Sequence, residues 1–83
     1  MVITEFNDIE ISLDQDFKNG PVASVYYKDD DVLGAINIIT GEIEGNFSKY
    51  VLPVIKAWYE EFKKSLKEIW ETRVLYRLPD WED

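Results

Sequence analysis

The groups able to do chemistry in this chain are carboxylates, hydroxyls and lysines, because it contains neither histidine nor cysteine. Without imidazole or thiol, nucleophilic triads and Cys/His zinc sites cannot form. Ser12, Ser24, Ser48 and Ser65 have no such partner, and no motif sets a lysine beside one of them. Asp29-Asp30-Asp31 is the longest carboxylate run. Hard cations take oxygen ligands, but this run lacks the alternation and the downstream bidentate glutamate of a calcium loop. It reads as a solvated turn. Paired-acid glycoside hydrolysis needs a sugar cleft that a chain of 83 residues can hardly enclose. Gly41 and Gly45 do not follow a strand and open a helix as a phosphate loop requires, so they read as turn glycines. No catalytic, cofactor-binding or metal-binding residue is expected, and the chain reads as a non-enzyme.

Recognition is the chemistry that remains. Tyr26 and Tyr27 are adjacent in an extended stretch, so alternation sends them to opposite faces and one of them outside the core. Tyrosine and tryptophan are common interface anchors. The candidate partner-binding residues are Asp29, Asp30, Asp31, Tyr26, Tyr27 and Trp81, with Tyr76 a further aromatic of interest near the end of the chain. The formal net charge is −8. Residues 1–48 hold ten acids and two bases, whereas residues 49–83 hold seven of each, so the whole imbalance lies in the first half. Such a balance opposes direct binding of nucleic-acid phosphates and adhesion to anionic membranes. It is compatible with a protein partner carrying a basic surface, and equally with charge that only keeps the chain in solution.

The elements that must position these residues can be read from periodicity. Residues 2–6 and 8–14 alternate, with Ile9, Ile11 and Leu13 on one side and Glu10, Ser12 and Asp14 on the other, as in half-buried strands. Asn7-Asp8 marks the turn between them. Residues 22–28 are β-branched and aromatic. Residues 32–39 are the most apolar strand and are expected to sit centrally. Thr40-Gly41 turns the chain into a short extended stub at 42–44. From Ser48 the period changes: Val51, Ile55, Trp58, Phe62, Leu66 and Ile69 recur every three or four residues, widened by Tyr59 and Trp70. Ser48 is a suitable N-cap, and Pro53 is tolerated only near a helix start.

The expected fold is therefore α+β, a small antiparallel sheet of three to four strands packed against one long C-terminal helix. The sheet spans about 2–44, the helix about 48–71 and a tail 72–83, all in one domain. The last five residues are expected to be loose or to dock through Trp81. No apolar run is long enough to cross a bilayer, and the first residues lack the basic and apolar regions of a signal peptide, so a cytoplasmic location is expected. Small size and apolar strands also point to homodimerisation as a source of further buried area.

Thr40-Gly41-Glu42-Ile43, Glu44-Gly45-Asn46-Phe47, Leu52, Val54-Ile55-Lys56-Ala57-Trp58 and Leu66-Lys67-Glu68-Ile69-Trp70-Glu71 together resemble domain-of-unknown-function family 4160. Members carry a strand ending in Thr-Gly-Glu-Val, a Glu-Gly-X-Leu-Pro-like helix start and helix tryptophans at this spacing. Ile3, Phe6, Ile9 and Ile11 match the family's opening hairpin, so the resemblance covers about residues 2–71. The family's Pro-Pro-His-X-His stretch is replaced by Gly20-Pro21-Val22-Ala23-Ser24, with Val22 and Ser24 at or near the histidine positions. Any role of those histidines is lost, and no site carries over. Members are often encoded beside another small domain in toxin–antitoxin-like pairs, which implies binding to a protein. Two functions follow as expectations. The first is a small acidic non-enzymatic protein-binding domain, an antitoxin-like or regulatory subunit. The alternative is a phage- or plasmid-encoded inhibitor that mimics nucleic acid, as some anti-CRISPR proteins do, and blocks a cationic groove.

Overall fold

The computed structural model describes residues 1–28 and 31–81. Five strands come first, β1 (Val2–Phe6), β2 (Ile9–Ser12), β3 (Val22–Tyr27), β4 (Val32–Asn37) and β5 (Ile43–Gly45), followed by helix α1 (Val51–Thr72). The strands form one antiparallel meander in the order β1-β2-β3-β4-β5. The sheet has five strands where three to four were expected, because the stub after Gly41 pairs in full register with β4: Ile36 faces Ile43, Ala35 faces Glu44 and Gly34 faces Gly45. Its three residues, two of them polar or glycine, carry too little pattern to count as a strand in isolation. The centre of the sheet is β3, not the more apolar 32–39 stretch, which ends as a strand at Asn37. In a meander the third strand of five is central whatever its composition.

Local chemistry explains most boundaries. Asn7 and Asp8 both have positive φ, 48° and 64°. That is the requirement of a two-residue type I′ hairpin turn, whose twist matches the strands it joins. A side chain at Gly34 could not fit: a Cβ there would lie 2.0 Å from the Glu44 carbonyl oxygen and 2.7 Å from the Phe47 ring. Phe47 thus covers the bare backbone where β4 and β5 come closest. At the helix start the Val51 N–H donates to the Ser48 hydroxyl at 3.1 Å, and the Leu52 N–H donates to the Ser48 carbonyl at 3.1 Å. The N-cap position is nevertheless Tyr50, whose side chain makes no cap bond, and not Ser48 as expected; Ser48 bonds the first turn from two residues before it. Pro53 falls in that first turn, where its missing N–H leaves no bond unmade. The helix stops where Arg73 adopts a left-handed conformation (φ 60°) and its N–H donates to the Ile69 carbonyl at 2.8 Å.

One face of the sheet meets the helix. Ile9, Ile11, Leu13, Ala23, Val25, Ile36 and Ile38 are buried there against Ile55, Trp58, Leu66 and Ile69. Val51, Tyr59, Phe62 and Trp70 border this core half-buried. Phe6 stacks on Trp58 with ring centroids 6.1 Å apart. The tail is docked. Leu78 is 3% exposed, its N–H donates to the Ile3 carbonyl at 2.8 Å, and Trp81 meets Phe6 edge-on at 4.9 Å. This segment lies along β1 and blunts one sheet edge, the kind of edge that otherwise recruits other strands.

Candidate partner-binding surface

With a single helix, only one face of the sheet is covered among the described residues. The other face is built by the residues between the buried ones. In β2, Ile9 and Ile11 turn inward while Glu10 and Ser12 turn outward. In β3, Ala23 and Val25 turn inward while Val22, Ser24 and Tyr26 turn outward. Pairing aligns these outward residues across the sheet. Ser12 faces Ser24, Ser24 faces Ala35, and Ala35 faces Glu44. The neighbouring row runs Glu5, Glu10, Tyr26, Val32. The surface is therefore a strip of small side chains with Tyr26 beside it and acids at both ends.

Those ends are concave. Beside the β1–β2 hairpin, Glu5, Asp8 and Glu10 line a depression of about 260 Å³ with Lys28 on its rim. Over β4 and β5, Glu42 and Glu44 line a second of about 120 Å³, floored by Val22, Ala35 and Asn37. Glu5 stands directly opposite Glu10, an arrangement that costs stability because like charges on paired strands repel. Arg77 offsets part of this, with its Nη1 3.4 Å from Glu5 Oε1. Lys28 Nζ lies 3.9 Å from Asp8 Oδ2. Both pairs are about half exposed, where an ion pair contributes about 0–1 kcal/mol. The acids are therefore largely free to meet an outside cation.

The structure brings together some of the expected residues and separates others. Tyr26 is half-buried on the open face with Glu10 as its cross-strand neighbour. Tyr27 lies at the end of β3, 36% exposed and opposite Ile9, so it borders the helix side instead. Asp31 is exposed in the turn after β3, where its carbonyl accepts the Tyr27 N–H at 2.8 Å. Asp29 and Asp30 lie outside the described residues. Trp81 leaves the candidate set: it packs on Phe6 and holds the tail. An indole so near the end of a chain looks like a free anchor until the apolar ring that receives it is known. Glu5, Glu10, Glu42 and Glu44 were not singled out from the sequence as site residues. The signal was present for Glu10, since alternation already placed it opposite Ile9 and Ile11.

Among the described residues no three carboxylates converge as a metal site needs, and no helix is long and apolar enough to cross a membrane. No family model matches the chain, and no curated protein or solved structure is significantly similar to it. The functional reading therefore rests on the surface itself.

Proposed function

We propose that this chain is a small non-enzymatic binding domain whose open sheet face docks a basic surface of a protein partner, as an antitoxin-like or regulatory subunit in the cytoplasm. The observation that carries it is the charge distribution: Glu5, Glu10, Glu42 and Glu44 frame a strip of small residues on the one sheet face that the helix does not cover. Small side chains there let another surface approach. The acids steer and orient a cationic partner, which acts mainly on association rate and specificity. A second copy laid on this face about a two-fold axis would set the same glutamates against each other, which disfavours the face as a homodimer interface.

The alternative, mimicry of nucleic acid, calls for a continuous stripe of negative charge. Here the acids of β1 and β2 are parted from those of β5 by Ser24, Ala35 and Tyr26, with β2 and β5 about 14 Å apart at ordinary strand spacing. That gap favours a protein partner.

The test is affinity capture from the native host with mass spectrometry, run with the unaltered chain and with an E5K/E10K/E44K variant. The expected result is a basic protein retained by the first, released by moderate salt and absent with the second. Equal recovery by both, or turnover of a small substrate with no partner retained, overturns the reading.

A further inference from the structure

Against the acidic balance of the chain, one side of the helix is locally basic. Lys63, Lys64 and Lys67 rim a depression of about 240 Å³ whose floor is Ile39 and Tyr59. The floor is held in place. Asn37 Oδ1 accepts the N–H groups of Ile39 and Thr40 at 2.9 and 3.0 Å, which ties the β4–β5 turn into one shape. Gly41 sits in that turn at φ +81°, and a Cβ there would lie 2.8 Å from the Tyr59 ring. The Tyr59 hydroxyl donates to the Ile39 carbonyl at 2.8 Å. These contacts leave the Ile39 side chain 39% exposed beside three ammonium groups. Glu60 pairs with Lys63 at 2.8 Å and Glu71 lies 3.9 Å from Lys67, whereas Lys64 has no ion pair within 4.0 Å among the described residues.

We infer that this depression is a second interaction surface, independent of the open sheet face, and that it takes an acidic protein segment carrying an apolar side chain. The apolar group covers Ile39 and the edge of Tyr59, and carboxylates on either side meet Lys63, Lys64 and Lys67. Glu10 on β2 stands two strand spacings from β4, about 10 Å and beyond the roughly 8 Å Debye length at physiological salt. Glu42, next to Gly41 beside Tyr59, is an open-face acid that lies nearer the lysines. A nucleic acid fits less well. Tyr59 is packed over Gly41 and hydrogen-bonded at its hydroxyl, so its face is not free to stack a base. A long polyanion would also meet the net charge of −8, which a short segment with a few carboxylates largely escapes. The rigid turn means little ordering entropy is lost on binding.

The experiment is a residue-resolved NMR titration of the full chain with a short N-acetylated peptide of alternating glutamate and leucine. The expected result is shifts confined to Ile39, Tyr59, Lys63, Lys64 and Lys67, weakening as salt rises. A K63Q/K64Q/K67Q variant should bind about tenfold or more weaker, with unchanged circular dichroism because all three positions are exposed. I39S should weaken the same binding without changing its salt dependence. Any of four outcomes overturns the inference: no shifts at millimolar peptide, shifts centred elsewhere, equal binding by the lysine variant, or tighter binding of a single-stranded oligonucleotide at the same residues. Self-association of the chain that disappears in the lysine variant would also overturn it, by assigning the surface to a second copy.

Discussion

Ile11 and Ser12 are neighbours in β2, one sealed against the helix and the other on the uncovered face. The same contrast runs through β3, where Val25 is buried in the core cluster that includes Trp58 while Ser24 sits in the small-residue strip. The two faces share a backbone and differ in what limits them. On the covered face every position is constrained by volume, since interiors are packed at crystal-like density. On the open face the limits are weak for folding, and Glu5 opposite Glu10 even acts against it. Arg77 offsets only part of that repulsion. The lesson is that the acids on the open face are the part of the molecule to test for function, and the aliphatic residues opposite are the part to test for folding.

The comparison can be broken or sharpened by substitutions of decreasing expected effect. Trp58→Ala should cost about 3–5 kcal/mol and Ile11→Ala about 2–5 kcal/mol, measured by urea unfolding. Ser24→Ala, one residue from Val25, should stay within about 0.5 kcal/mol. If Ser24→Ala costs as much as Ile11→Ala, the open face is not open in solution. Leu78→Ala should cost about 2–4 kcal/mol and should also free the β1 edge, raising the light-scattering mass at high concentration as exposed edges pair. Loss of stability with a strictly monomeric scattering mass would mean that the tail contributes packing alone.

Trp58→Phe tests a finer point. The Trp58 Nε1–H is buried and finds no acceptor among the described residues, and an orphaned buried donor costs about 1–3 kcal/mol. Phenylalanine gives up area and removes that donor, so the net change should be within about 1 kcal/mol, far less than Trp58→Ala. Glu10→Lys should be neutral for folding or stabilising by up to about 1 kcal/mol because the pair with Glu5 becomes attractive. The same substitution should weaken capture of a basic partner. A variant that destabilises the fold while leaving capture intact would reverse the assignment of the two faces.

Much of the fold was legible from particular residues. The inward set Ile9, Ile11, Leu13 followed from alternation alone. Asn7-Asp8 announced a hairpin through residues that tolerate positive φ. The helix stripe from Ile55 to Ile69 followed from spacing, whereas the N-cap fell at Tyr50 and not at Ser48. The fifth strand was less legible, because Ile43 is flanked by Glu42 and Glu44 and only pairing with β4 makes three residues a strand. Docking through Trp81 was one of two readings of the tail, but its seat on Phe6, 75 residues earlier in the chain, was not legible. Of the candidate site, alternation showed that Tyr26 and Tyr27 take opposite faces, but not which of them lies on the open one. The convergence of Glu42 and Glu44 over Val22 and Ala35 was not, because it requires the order of strands.

The sequence by itself determined the elements, the absence of imidazole and thiol, and the concentration of acid in the strand-forming half. Periodicity and composition are local properties, and they act before any strand meets another. Only the tertiary structure decided which face of the sheet stays bare, which glutamates share a depression, and where Ile39 meets three lysines. Those are relations between residues distant along the chain, set by one helix having one apolar stripe and covering one side of the sheet.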